Sequence, residues 1–452
     1  MNKKVARTTL HVSIFALLCT LPTGIAWADG AVYAMTNTLG NNQILVYHRA
    51  SNGNLNPTTP IQTIATGGGG SGLQLAGVDS LGSAGSVQLD AAHHLLFAVN
   101  TETAMENNGS GSYNQDCRQG SITSFRVASD GTLTFADRVT SGGLYPNSTT
   151  VRRIGEGEDD RGEGGGPGEL LYVLNAGGPG NCSVGPNITG FTVDPAGHMT
   201  ALGSSQPVNP GPASPSGVNC PPIGFTPTAD FACGLNPPSF PRSPAQVRFT
   251  TNGNQLIVTV KGTNAIYVFP VDSKGKAGAP TITQAPGPAL PSYFAFTFDN
   301  EGHLLVTELF GTATSIPTGG AGAVSSFRVS HAGSLASIDS HVGDLGTAAC
   351  WIALEPKNGH YAYVANNLSN NISSYKIAAT GDLTLLNASA GVASGPNDLA
   401  TATEKRASFL YVVDAGNGAV GAFQIDRTNG SLTALTGGTG LPSAHAQGLA
   451  AF

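Results

Sequence analysis

The sequence is poor in charge. Charged residues make up 11% of its 452 residues, against roughly a quarter in average proteins. The formal net charge is −7 and no basic stripe is present, which excludes nucleic acid as a partner. Hydrophobic residues make up 40%, a content that excludes a disordered chain. The 61 glycines suit an all-β protein with many tight turns.

Long apolar runs are also scarce, and the one at the N-terminus is too short to span a bilayer comfortably. It follows Lys3 and Lys4, passes through Leu18 and leads to Ala26-Trp27-Ala28. This pattern predicts a secretory signal peptide at residues 1–28, the alternative being an uncleaved anchor. We expect a single domain at 29–452, exported to the periplasm or outside the cell, monomeric and with no membrane span after cleavage.

Metal-binding cysteine and histidine spacings are missing. No C-x-x-C or H-x-x-x-H occurs, so we expect no metal and no cofactor. Cys220 and Cys233 bracket a Pro-rich loop and are expected to pair in an oxidising compartment, and Cys117 could pair with Cys182. Cys350 lies in an apolar strand, where an inert buried thiol is expected.

What the sequence does contain is a repeat. A unit of four predicted strands with Gly- and Asn-rich turns recurs seven times, at the period of roughly 40–50 residues typical of a β-propeller. The first copy lacks its first strand, and the chain ends AQGLAAF, which reads as a first strand alone. We therefore predict an all-β, seven-bladed β-propeller with four-stranded antiparallel blades. Residues 447–452 would complete the blade begun by 31–37. The alternative fold, two stacked β-sandwiches, would not need a C-terminal strand to complete the first blade.

Two insertions interrupt the repeat. Residues 154–168 are acidic and Gly-rich. They could form a calcium loop, but the EF-hand spacing is absent and a solvated loop is the simpler interpretation. Residues 205–243 are rich in Pro and Ser and hold Cys220 and Cys233. We expect a disulfide-stapled loop on one face of the ring.

Polar residues end the predicted second strands. In five copies the residue is Asn or Asp, which can bond the following turn. In the two adjacent remaining copies Lys261 and Glu308 stand at or beside this point. A carboxylate and a cation could then converge on one pocket, and a salt bridge on the rim is the alternative. The five polar residues are Asn37, Asn100, Asn175, Asn366 and Asp414.

Arginines in the predicted innermost strands are a second anomaly. Arg248, Arg152 and Arg153 occupy segments that should be packed on both faces. A guanidinium there requires a carboxylate or a wet channel, and the propeller axis supplies such a channel. Arginine suits an anionic ligand, and His445 could point toward the same mouth.

The segments PAQVRFTTNG, YAYVANN and LYVVDAGNGAVGAFQI resemble the seven-bladed β-propeller lactonase family, which includes 6-phosphogluconolactonases and carboxy-muconate cyclases. The resemblance covers nearly the whole mature chain. It implies His, Arg and Glu on the channel, and Glu308 in TELFG resembles the family's Glu. Ala245 stands near the expected His, and Phe294 and Ala295 stand where Arg-His would be expected.

Two functions follow from these observations. As an enzyme, the chain would hydrolyse or form the lactone of a small anionic substrate. Glu308 would act as general base, with Arg248 or Lys261 stabilising the oxyanion. Arg152, Arg153 and His445 would bind substrate. As a non-enzymatic propeller, it would bind a protein, a sugar or a small anion.

Overall fold

The computed structural model describes part of the chain, and several sequence-based expectations fall outside that part. The predicted signal peptide, the cysteines at 117, 182, 220 and 233, and most of both insertions lie outside the described residues. The described residues are 30–71, 79, 81–102, 106–107, 113–114, 118–153, 168–177, 184–208, 243–284, 293–309 and 321–452.

Seven four-stranded antiparallel sheets form the blades, each running from an innermost strand at the axis to an outer fourth strand. From the axis outward, blade one consists of β30 (Leu449–Ala451), β1 (Ala31–Met35), β2 (Gln43–His48) and β3 (Gln62–Ala65), and blade two of β4 (Val87–Asp90), β5 (Leu95–Asn100), β8 (Gln119–Val127) and β9 (Leu133–Leu144). Blade three consists of β10 (Pro146–Arg153), β11 (Glu169–Asn175), β12 (Asn187–Val193) and β13 (Met199–Pro207), and blade four of β14 (Pro244–Phe249), β15 (Gln255–Val260), β16 (Ala265–Pro270) and β17 (Thr281–Gln284).

Blades five to seven repeat this order. Blade five consists of β18 (Tyr293–Phe298), β19 (Leu304–Glu308), β20 (Ala323–Val329) and β21 (Leu335–Gly343), and blade six of β22 (Ala349–Leu354), β23 (Tyr361–Asn366), β24 (Asn371–Ile377) and β25 (Leu383–Val392). Blade seven consists of β26 (Pro396–Glu404), β27 (Ala407–Asp414), β28 (Ala419–Ile425) and β29 (Leu432–Thr439). A small hairpin, β6 (Glu106–Asn107) and β7 (Tyr113–Asn114), and two 3₁₀ turns, Lys261–Thr263 and Ala415–Asn417, complete the described elements. Since β13 extends to Pro207, the start of the 205–243 segment belongs to blade three.

The innermost strands form a closed ring. Each contacts the innermost strand of the next blade, in the order β30, β4, β10, β14, β18, β22, β26 and back to β30. The predicted seven-bladed β-propeller is therefore confirmed. No helix within the described ranges is long and apolar enough to cross a membrane.

The C-terminal strand closes the ring as the sequence predicts. β30 pairs antiparallel with β1, with Val32 opposite Ala451 and Ala34 opposite Leu449. The β30–β1 pair also joins the two ends of the chain in one hydrogen-bonded ladder. This pairing covers the inner edge of β1, which would otherwise be unpaired.

A buried arginine fixes the closure from the side. Arg49 is 1% exposed and its Nε donates to the Phe452 carbonyl at 2.8 Å. Its Nη2 lies 3.4 Å from the Glu404 carboxylate, and its guanidinium lies 5.6 Å from the centre of the Phe409 ring. Arg49 belongs to blade one, and Glu404 and Phe409 to blade seven, so one side chain connects both blades to the C-terminus.

Tyrosines in second strands connect neighbouring blades in four places. Each hydroxyl donates to the carbonyl of a glycine in the turn between the third and fourth strands of the next blade, at 2.7–3.0 Å. Those glycines have φ between +76° and +85°, which only glycine adopts without strain. The repeated Tyr and Gly are thus explained by contacts between blades. The pairs are Tyr33–Gly131, Tyr172–Gly275, Tyr363–Gly430 and Tyr411–Gly53.

We predict that Arg49→Met lowers the free energy of unfolding by about 3 kcal/mol, because the Glu404 carboxylate and the Phe452 carbonyl both lose their charged donor. Urea denaturation would measure the loss. The exposed Arg406 is the matched control, and Arg406→Met should change stability by less than about 0.5 kcal/mol. Equal effects of the two substitutions would contradict a special role for Arg49 in closure.

Candidate functional site on the propeller axis

The two faces of the ring differ in which strand ends they carry. Innermost and second strands are antiparallel, so innermost strands begin where second strands end. We call this the upper face, and the face where innermost strands end the lower face. Of the six candidate residues, Lys261, Glu308 and His445 belong to the upper face. Arg248, Arg152 and Arg153 lie toward the lower face.

Residues 81–84 close the axis at the upper face. The Ser83 hydroxyl donates to the Asn147 carbonyl of blade three at 2.7 Å, and the Ala84 N–H donates to the Ala245 carbonyl of blade four at 3.0 Å. The Ser83 carbonyl accepts from Trp351 Nε1 of blade six at 3.0 Å and from Gln447 Nε2 beside blade one at 2.6 Å. Four blades therefore hold this short segment across the axis, and we call it the plug.

Below the plug, the innermost strands enclose a cavity of about 460 Å³. Ala84 and Gly85 close its upper end, and turn residues such as Asn300 and Pro356 form its rim at the lower face. This volume suits a small-molecule ligand. Its polar lining includes Gln246, Arg248, Thr297, Glu355, Asp398 and Thr401.

Arg248 is the one cation among the described lining residues. Its side chain is accessible to the cavity, and Nη1 donates to Thr297 Oγ1 at 3.1 Å. Because protein surrounds the cavity, desolvation lowers the pKa of the guanidinium, which nevertheless stays charged in proteins. The structure thus places one of the three predicted arginines in the lining of the axial cavity.

Asp398 lies on the opposite wall, since blades four and seven are three blades apart in a ring of seven. It is 6% exposed. Its Oδ1 accepts from the Leu399 N–H at 2.8 Å, whereas Oδ2 has no hydrogen-bond partner among the described residues. Desolvation raises the pKa of Asp398 to about 8, so this carboxyl is mostly protonated at neutral pH. Asp398 lies nearer the closed upper end of the cavity than Arg248 does, by about two residues or about 7 Å along the strands.

The second lining carboxylate, Glu355, is occupied elsewhere. It accepts from the Ser408 hydroxyl at 2.6 Å and from the Asn358 N–H at 2.6 Å. Arg427 Nε lies 3.4 Å from it. Glu355 therefore organises the turn at the rim, and Asp398 is the lining carboxyl with a buried oxygen that has no hydrogen-bond partner among the described residues.

Lys261 is sealed above the cavity. It is 0% exposed, its ammonium donates to the Gly82 carbonyl of the plug, and Nζ lies 5.0 Å from the centre of the Phe294 ring. Burial lowers the pKa of Lys261 and raises that of Asp79, and each charge opposes the shift of the other. Cys350, a buried free thiol whose pKa burial raises, lies in the same region. The buried state predicted for Cys350 is confirmed.

Glu308 points outward along its blade. Its carboxylate accepts from the Ser325 hydroxyl on the third strand and lies 2.6 Å from His341 Nδ1 on the fourth. The hydrogen bond to Glu308 raises the pKa of His341. This is a carboxylate–imidazole ion pair in the outer half of blade five, whereas Arg248 and Lys261 lie at the axis.

The same outward direction recurs at equivalent positions. Asn100 Nδ2 donates to Thr123 Oγ1 at 3.0 Å, and Asn366 Nδ2 donates to Ser373 Oγ at 3.3 Å. These asparagines therefore bond side chains of the third strand, where the sequence had suggested the backbone of the following turn. In blade four Val260 is the last residue of the second strand, so Lys261 stands one residue beyond the repeat position.

The other three candidates lie apart from the cavity. The Arg152 guanidinium lies 5.3 Å from the centre of the Phe249 ring, between blades three and four, and Arg153 is exposed at the end of β10. His445 is half-buried on the upper face, where burial lowers its pKa and its carbonyl accepts from Asn37 Nδ2 at 3.2 Å.

Of the six candidates, then, only Arg248 lines the cavity. Lys261 lies behind the plug, and the Glu308 carboxylate contacts Ser325 and His341 of its own blade. Sequence reasoning missed Asp398 and Asp79. Asp398 had a signal, since an Asp inside the predicted innermost strand DLATATE needs the same explanation as an Arg in that environment. Asp79 lay outside every predicted strand.

The sequence of the second half of the chain matches a known family. Residues 241–446 match the family model described as Lactonase, 7-bladed beta-propeller, which supports the resemblance drawn from sequence segments. No curated protein matches the sequence significantly.

Solved structures share the fold. A periplasmic gluconolactonase of Pseudomonas aeruginosa aligns with a TM-score of 0.60 at 16% identity, covering 93% of this chain and 98% of that one. A Bacteroides fragilis protein assigned provisionally as a 6-phosphogluconolactonase aligns at 0.58 and 15%, covering 94% and 99%. A Lactobacillus plantarum protein gives the same four values. At these identities the similarity establishes the propeller fold.

The protonation of Asp398 can be tested through stability. The folded state holds this proton up to about pH 8, whereas an unfolded Asp loses it near pH 4. The folded protein binds more protons between these values, so this group makes the free energy of unfolding fall as pH rises, by about 1.4 kcal/mol per pH unit. Asp398→Asn removes that slope.

We therefore expect Asp398→Asn to become more stable relative to wild type as pH rises from about 4 to about 8, measured by urea denaturation at each pH. Thr401→Val, which alters the same wall without a titratable group, should differ from wild type by an amount independent of pH. A wild-type slope that persists in Asp398→Asn would show that Asp398 ionises normally in the fold.

A double-mutant cycle tests the coupling of Lys261 and Asp79. Lys261→Met leaves the buried Asp79 without its opposing cation and should lower the free energy of unfolding by about 3 kcal/mol. Adding Asp79→Asn should recover most of that loss. The exposed Lys274 provides the control substitution, Lys274→Met. Additive effects of the two substitutions would mean that the charges do not interact.

Proposed function

We propose that this chain, whose residues 241–446 match the seven-bladed propeller lactonases, hydrolyses a small anionic lactone in the cavity on the propeller axis. The observation that carries the proposal is that Arg248 and the buried Asp398 line opposite walls of a cavity that residues 81–84 close at one end. Such a cavity offers a fixed positive charge and a neutral acid while limiting access of bulk water.

Arg248 would stabilise the oxyanion that develops on the lactone carbonyl. A guanidinium in a site shielded from bulk water interacts more strongly with developing charge than it does in solution. Its bond to Thr297 Oγ1 holds the guanidinium against the wall, so little reorganisation is needed during the reaction. The same charge attracts an anionic substrate through the lower mouth.

Asp398 would act as general acid. As water adds to the carbonyl carbon and the ring C–O bond breaks, the Asp398 proton passes to the departing ring oxygen. The attacking water returns one proton to the carboxylate, which restores Asp398. A carboxyl with a pKa near the working pH is well matched to this role, and its Oδ2 accepts no hydrogen bond from the described residues. The reverse sequence would form a lactone from a hydroxy acid.

Export is part of the proposal. The predicted signal peptide at residues 1–28 supports it, and so does the structural similarity to a gluconolactonase described as periplasmic. The substrate would then be a small lactone met in the periplasm or outside the cell, handled by a single chain without a protein partner.

A panel of lactones with and without a carboxylate or phosphate group tests the activity. Asp398→Asn, which keeps the shape of the side chain but cannot supply the proton, should lower kcat by about 10²–10⁴-fold. Arg248→Met should lower kcat by about 10²–10³-fold. The exposed Arg328 provides the control, and Arg328→Met should behave as wild type.

Glu308→Gln distinguishes the two assignments of the acid–base group. With Asp398 in that role, Glu308→Gln should lose far less activity than Asp398→Asn. The reverse ranking would support the base suggested by the sequence. Saturable binding of an anionic lactone or its hydroxy acid without turnover would favour the non-enzymatic alternative.

The pH profile gives an independent prediction. After subtraction of the uncatalysed rate, kcat/KM should decrease as pH rises through about 8, because the acid form of Asp398 is lost there. Titration of the hydroxy acid released in samples quenched at fixed times would measure kcat/KM at each pH. A rate that instead increases through this range would assign Asp398 the role of base.

A further inference from the structure

We propose that Asp90, His93 and Glu169 form a binding site for Zn²⁺ between blades two and three on the lower face. The site lies outside the axial cavity, whose described lining includes none of the three. Asp90 ends β4 and His93 follows in the turn to β5, while Glu169 begins β11 of the next blade.

The three side chains meet at one imidazole nitrogen. His93 Nδ1 lies 2.7 Å from Asp90 Oδ2 and 2.7 Å from Glu169 Oε1. One potential ligand atom from each of the three residues lies within 4.8 Å of those of the other two. Among the described residues this is the one group of three or more His, Cys, Asp and Glu side chains with that proximity.

A proton does not satisfy this arrangement well. Nδ1 carries at most one hydrogen, which can point at one of the two carboxylates but not fully at both. Glu169 is only 3% exposed, so water cannot fully solvate its carboxylate. A divalent cation would bind all three groups at once.

The repeat supplies two comparison sites. Asp194–His198 in blade three and Asp299–His303 in blade five also place Nδ1 against an Asp carboxylate, at 3.0 and 2.7 Å. In each of these two turns, a single proton between the Asp carboxylate and the His imidazole satisfies both side chains. Blade two differs because the buried Glu169 carboxylate of the neighbouring blade approaches the same nitrogen. The turn itself needs only the Asp and the His, so Glu169 is an additional potential ligand.

The donor atoms select the kind of metal. One imidazole nitrogen with two carboxylate oxygens suits Zn²⁺, which accepts three protein ligands and keeps a fourth position for water. Calcium would require six to eight oxygens. His93 is 36% exposed, so the fourth position would face solvent.

Isothermal titration of the untagged full chain with ZnCl₂, after treatment with EDTA, tests the proposal. We expect one equivalent to bind, with affinity lowered at least tenfold in Glu169→Gln and in His93→Ala. His93→Ala changes a partly exposed side chain, so its folding can be verified by circular dichroism if Glu169→Gln proves unstable. The matched control is His198→Ala, which should bind zinc as wild type does.

Three results would overturn the site. They are the absence of saturable zinc binding, binding that survives in both Glu169→Gln and His93→Ala, and an equal loss in His198→Ala. Titration with CaCl₂ tests the metal class, and calcium binding as tight as zinc binding would contradict the assignment to a transition metal. Substitution with Co²⁺ should give a visible absorption band that is lost in His93→Ala.

Discussion

Contact between neighbouring blades is the constraint on which the whole structure depends. Second strands such as β5, β11, β15 and β23 are buried along their full length, so both faces of each sheet must be covered by other sheets. A row of seven such sheets would leave two apolar faces exposed at its ends. The ring removes both, and for this reason pairing of β30 with β1 and the buried Arg49 determine the stability of all seven blades together.

Closing the ring also creates the axis, and the axis is where buried polar groups collect. Innermost strands leave room for Arg248 to face the cavity on one wall, and burial raises the pKa of Asp398 on the other. At the upper end, the plug replaces water with hydrogen bonds from four blades. Among the described residues, the plug therefore closes the cavity at the upper face alone.

Departures from the repeat proved informative in different ways. Glu308 replaces an asparagine at an equivalent position and keeps the same outward direction toward the third strand. Its carboxylate contacts His341 within its own blade. Glu169 instead adds a buried carboxylate to an Asp–His turn that recurs elsewhere in simpler form. A charge that breaks a repeat is thus informative only when its surroundings are known.

The sequence by itself determined the fold. Strand lengths, turn residues, the period and the orphan terminal strand are local properties, and together they predicted seven blades and their closure. It also indicated that arginines in innermost strands need a carboxylate or a wet channel, and the structure places Arg248 in the lining of the axial cavity. Which polar residues meet at the axis was decided by the tertiary structure alone.

The reason is distance along the chain. Asp398 and Arg248 are 150 residues apart, and Asp79 and Lys261 182 apart, so their proximity arises only when the ring closes. The direction of a side chain at a strand end, toward the axis for Lys261 and toward the outer strands for Glu308, depends on packing that residue spacing does not encode. Local periodicity specifies a propeller, whereas long-range contacts specify its chemistry.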